Sequence, residues 1–309
     1  MMEHETAGDP ITGLKWTRRT TEKIAGYLQI LGIVVCSNTV ARLLRELGYS
    51  LRVNQKKLSS GCGADRDEQF SVIAESRDHF DNRGDPVISV DTKKKEMLGR
   101  FKNQGTAYSK QPDLVNDHDF RSQANGVAVP YGVYDVGANR GSVFIGTSSD
   151  TPEFAVAAID KWWRLDGCKR YERSRNLLIL ADCGGSNGYR CRVWKYELQK
   201  VADRRGLSIT VRHYPPGASK WNPIEHRLFS EISKNWAGRP LENFATIQNY
   251  IRTTTTKSGL RVKAYIERKQ YAKGVSVSPE QMNELNIESP ADLSQWNYTI
   301  TPRKMGSYS

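Results

Sequence analysis

The chain has 309 residues and sets 46 Lys and Arg against 34 Asp and Glu, a formal charge of +12. Hydrophobic residues make up 38% and charged residues 26%, which excludes a wholly disordered or fibrous chain; the longest apolar run, at 30–36, is broken by Gly32 and falls far short of the roughly 18 residues a membrane helix needs. A basic chain of this kind makes nucleic acid the leading partner, because neutralising phosphates releases counterions. The N-terminus lacks the apolar segment of a secretory signal, and five cysteines without a CxxC pair fit reduced thiols, so a cytoplasmic, nucleoid-associated location is expected. The five histidines form no cluster at ligand spacing, so no structural zinc is expected.

The charge is uneven along the chain. Residues 14–60 carry nine basic residues against Glu22 and Glu46, whereas 61–91 carry eight acids against Arg66, Arg77 and Arg83. In the basic head, Ile24, Tyr27, Leu28 and Leu31 fall at helical spacing before Gly32, and Ser37 is placed to cap a second helix with Val40, Leu43, Leu44 and Leu47 on one face before Gly48. Two short helices around a tight turn fit a helix-turn-helix. Asn38, Thr39, Arg42 and Arg45 would then face a DNA groove, and 50–57, with Lys56 and Lys57, would form a basic wing. The bland alternative is a helical hairpin with a solvated basic face. The expected divisions are a DNA-binding head over 1–60, an acidic helical connector over 61–85, a body over 86–260 and a C-terminal extension over 261–309.

Strand patterns begin at residue 86. Residues 86–91 (PVISVD) are apolar and β-branched, and 131–136 and 142–146 flank a turn with Gly137, Asn139 and Gly141, a hairpin signal. Thr151 and Pro152 open a helix. A strand at 176–182 (NLLILAD), a basic helix at 189–205, a strand at 207–213 and a helix at 222–236 follow. Three strands on short connections, then strands alternating with helices, describe an α/β fold: a mixed five-stranded sheet of the ribonuclease H type with flanking helices. Trp162 and Trp163 are adjacent, so one at most is expected to face the core.

Three acids stand at the ends of these elements: Asp91, Asp182 and Glu225. Each has a structural alternative. Asp91 could simply end a strand; Asp182 precedes a Gly-rich segment, though without GxGxxG spacing or a Walker lysine; Glu225 lies three residues after Asn222, the spacing of a helix-capping box. Together they gain meaning, because adjacent strands and the following helix can bring all three to one sheet edge. Carboxylates converging there call for divalent cations, and two Mg²⁺ ions can activate an attacking oxygen and stabilise a leaving one in phosphoryl transfer.

The segment 214–230 (YPPGASKWNPIEHRLFS) resembles the Pro-Pro…Asn-Pro-Ile-Glu signature of mariner-like and related insertion-sequence transposases. With SVDTKKKE (89–96), PYGVYDVGAN (130–139), LADCGGSNG (180–188) and TTTTKSGL (253–260), the chain resembles the Rhodopirellula-type DDE transposase family from about Lys15 to Arg303. That resemblance implies a ribonuclease H-like catalytic domain in which Asp91, Asp182 and Glu225 bind Mg²⁺, with Mn²⁺ able to substitute. It further implies cleavage of double-stranded DNA at transposon ends and strand transfer to target DNA, by a homodimer on DNA. Two alternatives stay open: a nuclease of the same fold that only hydrolyses, and a non-catalytic DNA-binding repressor. Family members carry another helical DNA-binding portion before the segment matching 5–10, so a shortened copy is expected.

Other polar residues have two readings each. Lys93, Lys94 and Lys95 could bind phosphates or form a solvated run. Glu96 and Asp135 read as structural. His226 lies about 100° around a helix from Glu225. Ser186 and Asn187 could position a phosphate or cap a helix, and Trp221 could stack on flipped DNA or pack in the core. The stretch 92–129 yields no reading.

Overall fold

The computed structural model describes residues 6–8, 15–17, 19–49 and 64–303, and the chain divides into two compact units, Met1–Leu58 and Ser59–Ser309. In the first, β1 (Thr6–Gly8) pairs antiparallel with β2 (Lys15–Thr17). Helices α1 (Thr21–Ile30) and α2 (Ser37–Glu46) follow, with Ile24 and Val40 buried. Thr20 caps α1 by accepting from the Lys23 amide at 3.3 Å. Gly32, at φ +81°, makes the turn that a side chain would strain. Cys36, not Ser37, stands at the start of α2, because the helix already includes Ser37; its Sγ lies 3.3 Å from Thr39 Oγ1. The wing expected at 50–57 lies outside the described residues.

The second unit opens with the expected acidic helix, α3 (Ala64–Arg83). Strands β3 (Val87–Thr92), β4 (Glu96–Leu98), β5 (Gly126–Asp135) and β6 (Arg140–Gly146) precede α4 (Pro152–Trp162), the short α5 (Cys168–Arg170) and β7 (Asn176–Ala181). Then come α6 (Arg192–Arg205), β8 (Ser208–His213), α7 (Ser230–Asn235), α8 (Phe244–Arg252), β9 (Arg261–Glu267), α9 (Pro279–Asn283), β10 (Ile287–Glu288) and β11 (Asn297–Ile300). The five expected strands form the sheet centre in the order β8-β7-β3-β5-β6, with β3, β5 and β6 antiparallel and β7 and β8 parallel to β3. That is the ribonuclease H topology: a meander followed by two parallel strands. Segments of the expected C-terminal extension widen it: β9 runs parallel beside β6 and β11 antiparallel beside β8.

Alternating residues of each strand feed two apolar layers. On one face α4 and α6 cover Ile88, Val90, Tyr131, Val133, Phe144 and Ile179. On the other, Tyr134, Val143 and Ile145 meet Ile224, Leu228, Phe229, Ile232 and Trp236 from the 222–236 segment, while α3 brings Ile73 and Phe80 against Val87, Leu178 and Leu180. Both Trp162 and Trp163 are buried, at 2% and 5% exposure, contrary to expectation. The cause is a change of helix: α4 continues as a π turn, Trp163–Gly167, and Gly167 leaves room, since a Cβ there would lie 2.7 Å from Trp163 Cε3.

Two strand glycines set the depth of the segment that carries Glu225. A Cβ on Gly132 would come within 2.6 Å of Phe229 Cε1 and 2.7 Å of Ile224 Cδ1, and one on Gly141 within 2.5 Å of Leu228 Cδ1. Glycine in a strand interior here marks close approach by another element. Gly132→Ala and Gly141→Ala should each destabilise the protein by about 1–3 kcal/mol through overpacking, whereas Gly137→Ala, whose Cβ meets only Tyr171 Oη at 3.8 Å, should leave the thermal midpoint nearly unchanged.

Candidate active site

Strand register brings the first two acids together. Val90 pairs with Ala181 across parallel β3 and β7, so Asp91 and Asp182 come next on each strand at the same sheet edge. Each carboxylate accepts from the amide that follows it, Asp91 from Thr92 at 2.7 Å and Asp182 from Cys183 at 2.8 Å. These local bonds aim both side chains outward.

Glu225 reaches the same edge through a buried latch. Ser89, two residues before Asp91, donates its hydroxyl to Asn222 Oδ1 and accepts from the Ile224 amide at 3.0 Å. Asn222, fully buried, donates Nδ2 to the Val90 carbonyl at 3.2 Å. The capping-box alternative is therefore not what Asn222 does, since its side chain is spent on β3. The helix begins at 223–224 and passes at once into a π turn, Glu225–Phe229, with Leu228 and Phe229 directed onto the glycine-lined sheet face.

The three acids line one cavity of about 530 Å³ with Asp150, Lys93, Lys94, Lys95, Gly184, Gly185, Ser186 and Ser219. A larger cavity of about 850 Å³ lies at the opposite strand ends, lined by Arg83, Lys169, Arg170, Arg173 and Arg175; of its two acids, Asp85 is held by Arg83, Ser174 and Asn176. It lacks a carboxylate cluster, so the smaller cavity is the better reaction site.

Burial and crowding set the electrostatics. Burial pushes Asp91 up to about 8, Asp182 and Glu225 add to the rise, and only the Thr92 amide opposes it appreciably. The neighbouring Glu225 carboxyl raises Asp91 further, while Asp91 acts on Glu225 in the opposite direction. Burial likewise raises Asp182 and Glu225, the latter eased by Asp91 and the Lys93 charge. Tyr131, wholly buried, has a hydroxyl without a partner among the described residues and feels the charges of Asp91 and Asp150.

An all-oxygen donor set suits hard divalent cations such as Mg²⁺ or Mn²⁺ better than zinc. Among the described residues no group of three or more His, Cys, Asp or Glu side chains is close enough to hold a metal ion as it stands; the three acids share a cavity without forming such a group.

A second set of buried bonds supports Asp182 from behind. His213 Nδ1 donates to the Asp182 carbonyl at 3.0 Å, and Nε2 accepts from Tyr298 Oη at 3.1 Å, which itself accepts from Trp194 Nε1 at 2.8 Å. Burial lowers His213 to about 4, so the imidazole is neutral and this tautomer satisfies every partner.

The other expected site residues are placed less uniformly. Lys93 is buried, paired with Glu96 at 3.1 Å and lying 4.6 Å from the Trp236 ring centroid; Lys94 is exposed, and Lys95 faces Asp150 at 3.6 Å. Ser186 lies 3.3 Å from Thr92 Oγ1, and Asn187 is buried with Nδ2 unpartnered among the described residues. In α2, Asn38 is exposed, Arg42 pairs with Glu46 at 2.8 Å and Arg45 bonds the Ala41 carbonyl; Lys56 and Lys57 lie outside the described residues. Asp150 went unread in the sequence. It accepts from Thr92 Oγ1 at 3.1 Å, and its only signal was an acid just before the Thr-Pro helix start.

Asn222→Ala should cost about 1–3 kcal/mol, because it strands the Ser89 hydroxyl. Ser89→Ala combined with it should cost less than the sum of the two single changes, by about 0.5–3 kcal/mol in a denaturation double-mutant cycle. Additive losses would show that the latch does not act as a unit.

A search of the curated proteins finds no match. Among solved structures, the chain is similar to the Mos1 transposase paired-end complex with left transposon end and to the Mos1 mariner paired end complex with Mn, each at 12% identity and a TM-score of 0.44. It is also similar to a pre-cleavage Mos1 transpososome, at 11% and 0.44. In the first two, 75% of this chain aligns with 65% of the other, so it spans less than two thirds of their length. The family model described as Rhodopirellula transposase DDE domain matches residues 1–302, and the chain belongs to that family.

Proposed function

We propose that the chain is a transposase that cuts DNA at transposon ends and joins the freed 3′-OH to target DNA, with Asp91, Asp182 and Glu225 holding Mg²⁺, or Mn²⁺ in its place. Supporting this is one observation above all: three acids from distant segments line a single cleft together with Lys93, Lys94 and Lys95. Divalent ions bound there would activate the attacking oxygen and offset charge on the leaving one. The chain's own residues do the positioning. Asp91 and Asp182 are fixed by strand register, Glu225 by the Ser89–Asn222 latch, and Asp182 again by His213. Exposed Lys94, with Lys95 at the cleft rim, takes flanking phosphates. Asn38, Thr39, Arg42 and Arg45 of α2 grip double-stranded DNA, with Lys56 and Lys57 beside them in sequence. Joining two ends calls for a homodimer on DNA.

Labelled transposon-end DNA incubated with the protein and Mg²⁺ tests this directly. Asp91→Asn, Asp182→Asn and Glu225→Gln should each reduce cleavage at least about a hundredfold, as expected from losing several kcal/mol of transition-state stabilisation. Equal cleavage by wild type and Glu225→Gln would refute the assignment. Strand-transfer products on unlabelled target DNA separate a transposase from a hydrolytic nuclease, and chelator-indifferent binding without cleavage would mark a repressor.

Mg²⁺ should raise the melting temperature of the wild type and should do so less for Asp91→Asn. In chelator above about pH 8 the order should reverse, with Asp91→Asn the more stable protein because it removes a charge from a crowded position. Below that pH, where Asp91 keeps its proton in the fold, the gap should shrink, and below the ordinary value of 3.8 the two should melt close together.

A further inference from the structure

We propose that Trp221 is a stacking platform for an unpaired base of the DNA strand entering the acidic cleft, with Lys220 and Arg66 beside it for the phosphates. The proposal rests on the reading of that cleft as a DNA-cutting centre. Trp162, Trp163, Trp194 and Trp236 are each at most 5% exposed, whereas Trp221 is 57% exposed. Its neighbours do not cover it. Phe70 meets it nearly at right angles, with ring centroids 6.0 Å apart. Lys220 Nζ lies 5.4 Å from its ring centroid, and Arg66 Cζ lies 5.9 Å from that of Phe70. Cations thus alternate with aromatic rings, the composition that binds single-stranded nucleic acid through stacking and charge.

The backbone that carries the ring is also held in place. The Trp221 amide donates to the Ala218 carbonyl at 2.8 Å and the Asn222 amide to the Ser219 carbonyl at 2.9 Å. The His226 ring nitrogen meets the Lys220 carbonyl, and the latch at Asn222 fixes the next residue. Ser219, in the same one-turn helix as Trp221, lines the cavity with the three acids. A strand whose phosphate sits at the acids therefore passes a solvent-facing indole carried on a fixed backbone. Duplex bases are stacked within the helix and cannot use such a surface; an unpaired base next to the cut can.

The test measures binding of the full-length protein, in chelator, to a duplex with a short single-stranded tail carrying 2-aminopurine and to the same duplex without the tail. Wild type should prefer the tailed DNA and quench the probe. Trp221→Ala should weaken tailed binding about tenfold with less quenching and leave the blunt duplex unaffected, while Trp221→Phe should retain most of both effects. Unquenched probe with wild type, equal wild-type affinity for the two DNAs, or an equal loss on both with Trp221→Ala would overturn the proposal. The wild-type quenching decides the matter even if a variant misfolds. Because no cleavage is needed, a catalytically inert acid cluster would leave a positive stacking result standing, and failed stacking would leave the cleavage assay untouched.

Discussion

Val90 and Ala181 are partners in parallel strands, and everything at the candidate site follows from the residue that each strand places next. Asp91 and Asp182 must be neighbours because the backbone ladder leaves them no other place. Their carboxylates then share a cleft with Glu225 in which burial penalises charge, and Asp91 holds its proton up to about 8 as a result. A fold optimised only for stability would not collect three acids there. The apolar layers on both sheet faces offset that local cost, and the site uses stability generated elsewhere in the molecule.

Two contrasting devices hold the third acid. Gly132 and Gly141 act by absence, letting Leu228 and Phe229 settle onto the strands. Ser89 and Asn222 act by specific bonding, joining the strand of Asp91 to the segment of Glu225. Packing fixes how deep the segment lies and the polar latch fixes its register along the sheet. Neither constraint alone would define the position of Glu225.

The sheet centre was legible because β-branched runs end in acids and the three-strand meander precedes the alternating elements. The acids were legible as a set for the same reason, though the spacing of Asn222 and Glu225 was equally that of a cap, and only the tertiary contact to Ser89 decides between the two. The added edges were harder. In β9, exposed Arg261 and Lys263 alternate with buried Val262 and Ala264, a pattern present in the sequence, but β11 has four residues, too few for periodicity to register. The paired burial of Trp162 and Trp163 depends on a π turn, which no residue spacing announces. Asp150 was hidden because a single acid before a helix start looks like any other.

The last strand has a consequence for synthesis. β11 covers the outer edge of β8, its neighbour Trp296 accepts from the His213 amide, and Tyr298 completes the bond to the imidazole behind Asp182. A ribosome delivers both aspartates long before this strand emerges, and domains fold as units during translation. Until then β8 keeps an open edge and the carbonyl of Asp182 lacks its full support. Nascent chains would therefore carry the acids without a finished site, and competence would come only once β11 has paired with β8.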